Sequence, residues 1–147
     1  MTGLSPEECW EVLEQGTVAH VAVLDDGEPY VTPLSYVVVG GRLAFRSAPG
    51  RRAAAIAAAP RVCIDVTLVE GSAWRSVLVW GDARVADDPE LHAEVVAALL
   101  AKYPEETAPG FSSPAPFPEE RHVVVVTPME MTGRSSAADP PVRPGRL

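Results

Sequence analysis

Gly40-Gly41-Arg42-Leu43-Ala44-Phe45-Arg46-Ser47-Ala48-Pro49-Gly50-Arg51-Arg52, running on into Ala53-Ala54-Ala55-Ile56-Ala57-Ala58-Ala59-Pro60, is the stretch that decides the fold. Its glycine pair reads as a hairpin turn, and residues 42–46 as a strand leaving it. Ser47 to Gly50 supply a second turn. Residues 51–59 then have the composition of a helix, which Pro60 stops. Around this strand–turn–helix, residues 29–64 carry Arg42, Arg46, Arg51, Arg52 and Arg61 and no Asp or Glu, in a chain of net charge -8. A local cationic excess in an acidic protein marks an anion site, and a turn with a hydroxyl and three guanidinium groups suits a phosphate.

Working outward toward the N-terminus, residues 30–39 are apolar and rich in Val, but Pro33 interrupts them and implies an edge, a bulge or a ligand-facing break. Asp25-Asp26-Gly27 joins this segment to a preceding strand over residues 17–24, a further hairpin. Before it, Ser5-Pro6-Glu7-Glu8 predicts an N-cap, a proline at the first helical position and acids where the helix dipole favours them. Cys9, Val12 and Leu13 then fall at helical spacing as far as Gln15 and Gly16.

Toward the C-terminus, residues 62–69 and 74–85 are two β-branched runs about the turn Glu70-Gly71-Ser72, another hairpin. Asp88 and Pro89 open a helix to about residue 103, with Leu91, Val95, Leu99 and Leu100 as its apolar stripe. Residues 104–118 contain five prolines and predict an irregular arm or lid. Residues 122–127 read as a last strand that residues 129–134 extend beyond Pro128. Residues 1–134 thus form one domain, and 135–147 a disordered tail. Strands dominate and almost all connections suit hairpins, so the predicted fold is mainly β: an antiparallel closed or split β-barrel with flanking helices.

The composition excludes several functions. An acidic chain is repelled by nucleic acid and by anionic lipid, and no apolar run is long enough to span a bilayer. The opening residues lack the basic and apolar segments of a signal peptide, so a cytoplasmic protein is expected. Cys9 and Cys63 have neither disulfide-framework nor zinc spacing, and no metal site is expected. His20, His92 and His122 are dispersed and form no triad with any serine by spacing. Trp10, Trp74 and Trp80 suit a core or an interface, and Glu7-Glu8 and Glu105-Glu106 suit a cap and a loop rather than a catalytic carboxylate pair. No side-chain acid or base stands out, which agrees with a cofactor that supplies the reaction.

The cationic turn is neither a Walker A loop nor a dinucleotide fingerprint. Its plain reading is that Arg51 and Arg52 solvate a surface helix. Against that, cations are disfavoured at a helix N-terminus unless an anion offsets them.

Four motifs in order sharpen this: Leu4-Ser5-Pro6-Glu7-Glu8; Gly27-x-Pro29-Tyr30-Val31-x-Pro33-x-x-Tyr36; Gly41-Arg42-Leu43-x-Phe45-Arg46-Ser47-Ala48-x-Gly50-Arg51-Arg52; and Trp74-x-Ser76-Val77-x-Val79-x-Gly81-x-Ala83. With a closing Gly133-Arg134, the chain over roughly residues 4 to 134 resembles the pyridoxamine 5'-phosphate oxidase-like FMN-binding split-barrel proteins, particularly the branch that includes nitroimidazole-resistance nitroreductases. The resemblance implies a homodimer with an FMN in each of two interfacial grooves. It implies that Arg46, Ser47, Arg51 and Arg52 hold the FMN phosphate, Arg52 standing where relatives often carry Lys. It further implies that the backbone at Thr32, Pro33, Leu34 and Ser35 lines the isoalloxazine ring, and that Trp74, Arg75 and Ser76 approach it across the dimer. The expected activity is transfer of hydride or electrons from FMN to a small organic acceptor such as a nitro compound, with no catalytic side chain assigned. The alternatives are a deazaflavin coenzyme on the same fold and a non-catalytic binder of flavin or haem.

Overall fold

The computed structural model describes residues 2–103 and 122–136. In chain order these form β1 (Thr2–Gly3), α1 (Pro6–Gln15), β2 (Ala19–Asp25), β3 (Glu28–Leu34), β4 (Tyr36–Val39), β5 (Arg42–Ser47), α2 (Arg51–Ala58), β6 (Arg61–Glu70), β7 (Ala73–Val85), α3 (Pro89–Lys102) and β8 (His122–Ser135). The predicted arm at 104–118 lies outside the described residues, as does the tail from 137 onward.

Local chemistry sets the element boundaries. At α1, the Ser5 amide donates to Glu8 Oε1 (2.9 Å) and the Glu8 amide to Ser5 Oγ (3.2 Å), the reciprocal capping box. Asp26 and Gly27 both have positive φ, as do Gly40 and Gly41, so the β2–β3 and β4–β5 hairpins have two-residue turns that suit the right-handed twist of their strands.

All strand pairs among the described residues are antiparallel, and the path runs β3-β2-β6-β7-β8-β5-β4, with β1 added to β8. The two edge strands of this path, β3 and β4, are consecutive in sequence with Ser35 alone between them. A flat sheet would hold such edges about 29 Å apart at about 4.8 Å per strand, far beyond the reach of one residue. The sheet must therefore curl until its edges meet, which makes it the expected split barrel. The break in residues 30–39 falls at Ser35 and not at Pro33. Pro33 sits inside β3, where an edge strand tolerates its missing amide hydrogen.

The curled sheet has two cores. Inside the barrel, Val12 and Leu13 of α1 and Ile56 of α2 pack with Val21, Tyr36, Phe45, Ile64, Val66, Val77, Val79 and Val126. Outside it, Val95, Leu99 and Tyr103 at α3 cover Val37, Val39, Ala44, Val123 and Val125. Residues 123–126 are consequently all buried: Val124 and Val126 face the barrel, Val123 and Val125 face α3. A strand clad on both faces reads as an unbroken apolar run. By contrast β7 alternates, with Val77, Val79, Gly81 and Ala83 buried and Trp74, Ser76, Leu78 and Trp80 on a face that no described helix covers.

Two glycines are fixed by close approach. Gly81 lies against the Thr127 carbonyl, leaving no room for a Cβ, beside the bulge where Trp80 pairs with Glu130 and Gly81 with Pro128. Gly133 passes under Cys9 and Leu4, which lets α1 seat on β8. Strand β8 runs through Ser135, where it pairs with Thr2 and Arg75, and the Ser136 amide still donates to the Trp74 carbonyl.

Candidate functional site

The cationic turn lies where β5 ends and α2 begins. Arg46 and Ser47 close β5 and are buried. Gly50 forms the N-cap of α2 and offers no side chain, so none caps the first-turn amides. Arg52, in that turn, donates from a terminal guanidinium nitrogen to Thr32 Oγ1 on β3 (2.9 Å) and, at the long limit, from Nε to Ser47 Oγ (3.4 Å). Its guanidinium lies 5.8 Å from the Phe45 ring centroid. One cation, two hydroxyls and an uncapped helix start thus converge where β3, β5 and α2 meet. These donors fit a phosphate: hydroxyls and amides donate to its oxygens, guanidinium neutralises them, and the dipole favours the charge.

Arg51 takes another direction. Its Nε donates to Asp25 Oδ2 at 2.5 Å, and its guanidinium lies 4.2 Å over the Tyr30 ring. The anion that offsets this cation at the start of α2 is therefore the chain's own Asp25. The sequence placed Asp25 in a turn and Tyr30 in a motif without giving either a role at the site, although the Asp26-Gly27 turn, by pairing Asp25 with Glu28, fixes where both fall.

Thr32, Pro33, Leu34 and Ser35 form the end of β3 and the seam. The Leu34 and Ser35 side chains are buried, so these two residues offer a ligand their backbone only. The Ser35 hydroxyl lies near enough to Tyr103 to favour its phenolate but makes no hydrogen bond of good geometry. Burial is the larger influence on Tyr103 and raises its pKa.

Trp74, Arg75 and Ser76 stand elsewhere. Strands β2 and β6 separate β7 from β3, and the register carries Thr32 across to Val21, Ile64 and Val79 rather than to Ser76. Ser76 instead donates to Asp65 Oδ1 (3.1 Å), Thr67 bonds both, and Arg75 reaches Gln15 (3.2 Å). Trp74 and Ser76 line a depression of about 150 Å³ with Leu78, Thr132 and Arg134 on the uncovered face. Within one chain the two groups of predicted residues are thus not brought together. A separate, mostly apolar cavity of about 200 Å³ flanks α2 between Ser47, Ile56, Ala83 and His122. His122, paired with Ser47 in the β5–β8 ladder, is a polar neighbour to which sequence spacing assigned no role.

The sequence model of the family described as pyridoxamine 5'-phosphate oxidase matches residues 5–135. An uncharacterized protein of Rhizobium meliloti (strain 1021) is 32% identical over 145 residues, covering 92% of this chain and 95% of its own. Among solved structures, an FAD-binding protein of Mesorhizobium loti superposes with TM-score 0.78 at 27% identity, covering 92% of this chain and 98% of its own. The FAD-binding protein of Mycobacterium smegmatis gives TM-score 0.68 at 26% identity, over 91% and 98%.

Proposed function

The chain belongs to the pyridoxamine 5'-phosphate oxidase family, and from that premise we propose that it is a flavin-dependent oxidoreductase acting on a small organic acceptor, of which a nitro compound is one candidate. The observation that carries the proposal is the convergence of Arg52, Ser47 and Thr32 on the uncapped start of α2. These residues would hold the riboflavin 5'-phosphate unit that FMN and FAD share, whereas buried Arg46, paired with Val123 on the α3-facing side of β5, points away from Ser47 and is left out of the cluster. The FAD-binding proteins of Mesorhizobium loti and Mycobacterium smegmatis, alike along their whole length, support a flavin.

Bound flavin supplies hydride or electron transfer; the protein supplies position and shielding. Backbone groups from Thr32 to Leu34, at the end of edge strand β3, and of Ser35 at the seam would line the ring system. Trp74 and Ser76 are remote from Arg52 within one chain, so their part in the site requires a second copy. The uncovered face of β6 and β7, with Trp80 opposite Cys63 and Leu78 opposite Asp65, is the surface on which that homodimer would form. Exposed Val31, Val69 and Met129 extend the apolar character of the molecule's surface.

The test is the visible spectrum of the protein as purified and after incubation with FMN or FAD, followed by anaerobic reduction and addition of a nitroaromatic. A flavin band that bleaches and returns with the acceptor supports the proposal. A protein that takes up no flavin refutes it. The described residues contain no helix long and apolar enough to cross a membrane, and the cytoplasmic location expected from the sequence is retained as part of the proposal.

A further inference from the structure

We propose that Tyr30, Arg51 and Asp25 form a subsite for the purine of a flavin adenine dinucleotide, so that this chain prefers FAD to FMN. The inference rests on the flavin reading above and adds residues to it that the phosphate cluster does not use.

Arg51 and Arg52 are neighbours in the first turn of α2 but are put to different uses. Arg52 joins Thr32 and Ser47 at the phosphate cluster. The Arg51 guanidinium lies 4.2 Å over the Tyr30 ring and pairs with Asp25 Oδ2 at 2.5 Å. Its side chain remains 53% exposed, so solvent reaches a group that Tyr30 supports from beneath and Asp25 fixes at one edge. A planar guanidinium braced in this way is a stacking platform for a heteroaromatic base.

Charge and position argue for a base rather than a second phosphate. Asp25 neutralises Arg51, so the pair brings little net attraction to an anion, and the carboxylate beside it disfavours one. That same carboxylate can accept from an exocyclic amino group or a ribose hydroxyl. Tyr30 and Thr32 lie two residues apart on β3 and share a face, which places the shelf about 6.7 Å along the strand from the hydroxyl that Arg52 holds. A ligand that continues past its first phosphate meets the shelf next, whereas one that ends there does not reach it.

The test is the dissociation constant of FMN and of FAD, by quenching of flavin fluorescence, for the wild-type chain and for Arg51→Ala, Tyr30→Leu and Arg52→Ala. Tyr30→Leu keeps an apolar side chain over the core while removing the ring. The expected result is wild-type preference for FAD of about tenfold, the size of one base stack. Arg51→Ala and Tyr30→Leu abolish that preference and leave FMN binding within about twofold, whereas Arg52→Ala weakens both ligands alike. Equal affinities in the wild type overturn the subsite and leave the flavin reading standing. So does an Arg51→Ala chain weakened equally for both ligands, which makes Arg51 a phosphate ligand, or one unchanged for both, which makes it a brace between α2 and the hairpin. Binding of neither flavin by the wild type overturns both.

Discussion

The Tyr36 amide donates to the Tyr103 hydroxyl at 3.0 Å across the one-residue seam at which the two edges of the sheet meet. Tyr103 Oη in turn lies 2.7 Å from the Thr17 carbonyl and 2.8 Å from that of Tyr36, and the Tyr36 hydroxyl donates to the Leu13 carbonyl at 2.6 Å. The Tyr103 phenol thus gives a partner to the Tyr36 amide beside the break between β3 and β4, and the Tyr36 phenol gives one to the Leu13 carbonyl in the last turn of α1. Tyr103→Phe removes the acceptor for a buried amide and should destabilise the fold by about 1 to 3 kcal/mol. Urea denaturation measures this, and an unchanged midpoint would show that the seam does not need the latch.

Lys102 lies beside that latch, with Nζ 4.0 Å from the Tyr36 ring centroid. Burial pulls its pKa down to about 8, opposed by the charge of Glu14. A folded-state pKa below the unfolded value means that the folded form binds fewer protons. Stability is therefore reduced in full below pH 8 and recovers as pH rises toward 10.5. Because this is the chain's single lysine, its ε-methylene NMR signal reports the titration without overlap. A midpoint near 8 is expected, and one at 10.5 would contradict the placement.

Gly81→Ala should destabilise by roughly 2 to 4 kcal/mol, since the added Cβ meets a backbone carbonyl that cannot rotate away. Thermal unfolding would show this as a large fall in Tm. Gly71, in an open turn with positive φ, serves as the contrast: Gly71→Asn should cost little, because Asn tolerates that conformation.

Leu78→Glu places a charge on the uncovered face of β7 without touching the core. If that face joins two copies, sedimentation should show a dimer for the wild type and a monomer for the variant, with unchanged circular dichroism. A dimer in both would place the interface elsewhere.

The parts of this architecture that were legible in the sequence are those fixed by local chemistry. Ser5 to Glu8 announced a helix start, Asp26-Gly27 and Gly40-Gly41 announced hairpins, and Pro60 announced a helix end, because each acts within a few residues. The break at Ser35 was not legible. Nothing in its own side chain forces it, and it becomes necessary only once seven strands require the sheet to close. The arginine cluster was visible as a charge imbalance, but its division was not, since Arg51 is claimed by Asp25 from a hairpin 26 residues away. The separation of Trp74 and Ser76 from Arg52 likewise depends on strand order, which sequence adjacency does not encode.

The central claim is that the start of α2 grips a flavin phosphate, and native mass spectrometry of the wild-type and Arg52→Ala proteins after incubation with flavin tests it most directly. One flavin bound per wild-type chain, lost in Arg52→Ala while the variant keeps its assembly state and circular dichroism, is the predicted result. Equal flavin occupancy in the two proteins would contradict it.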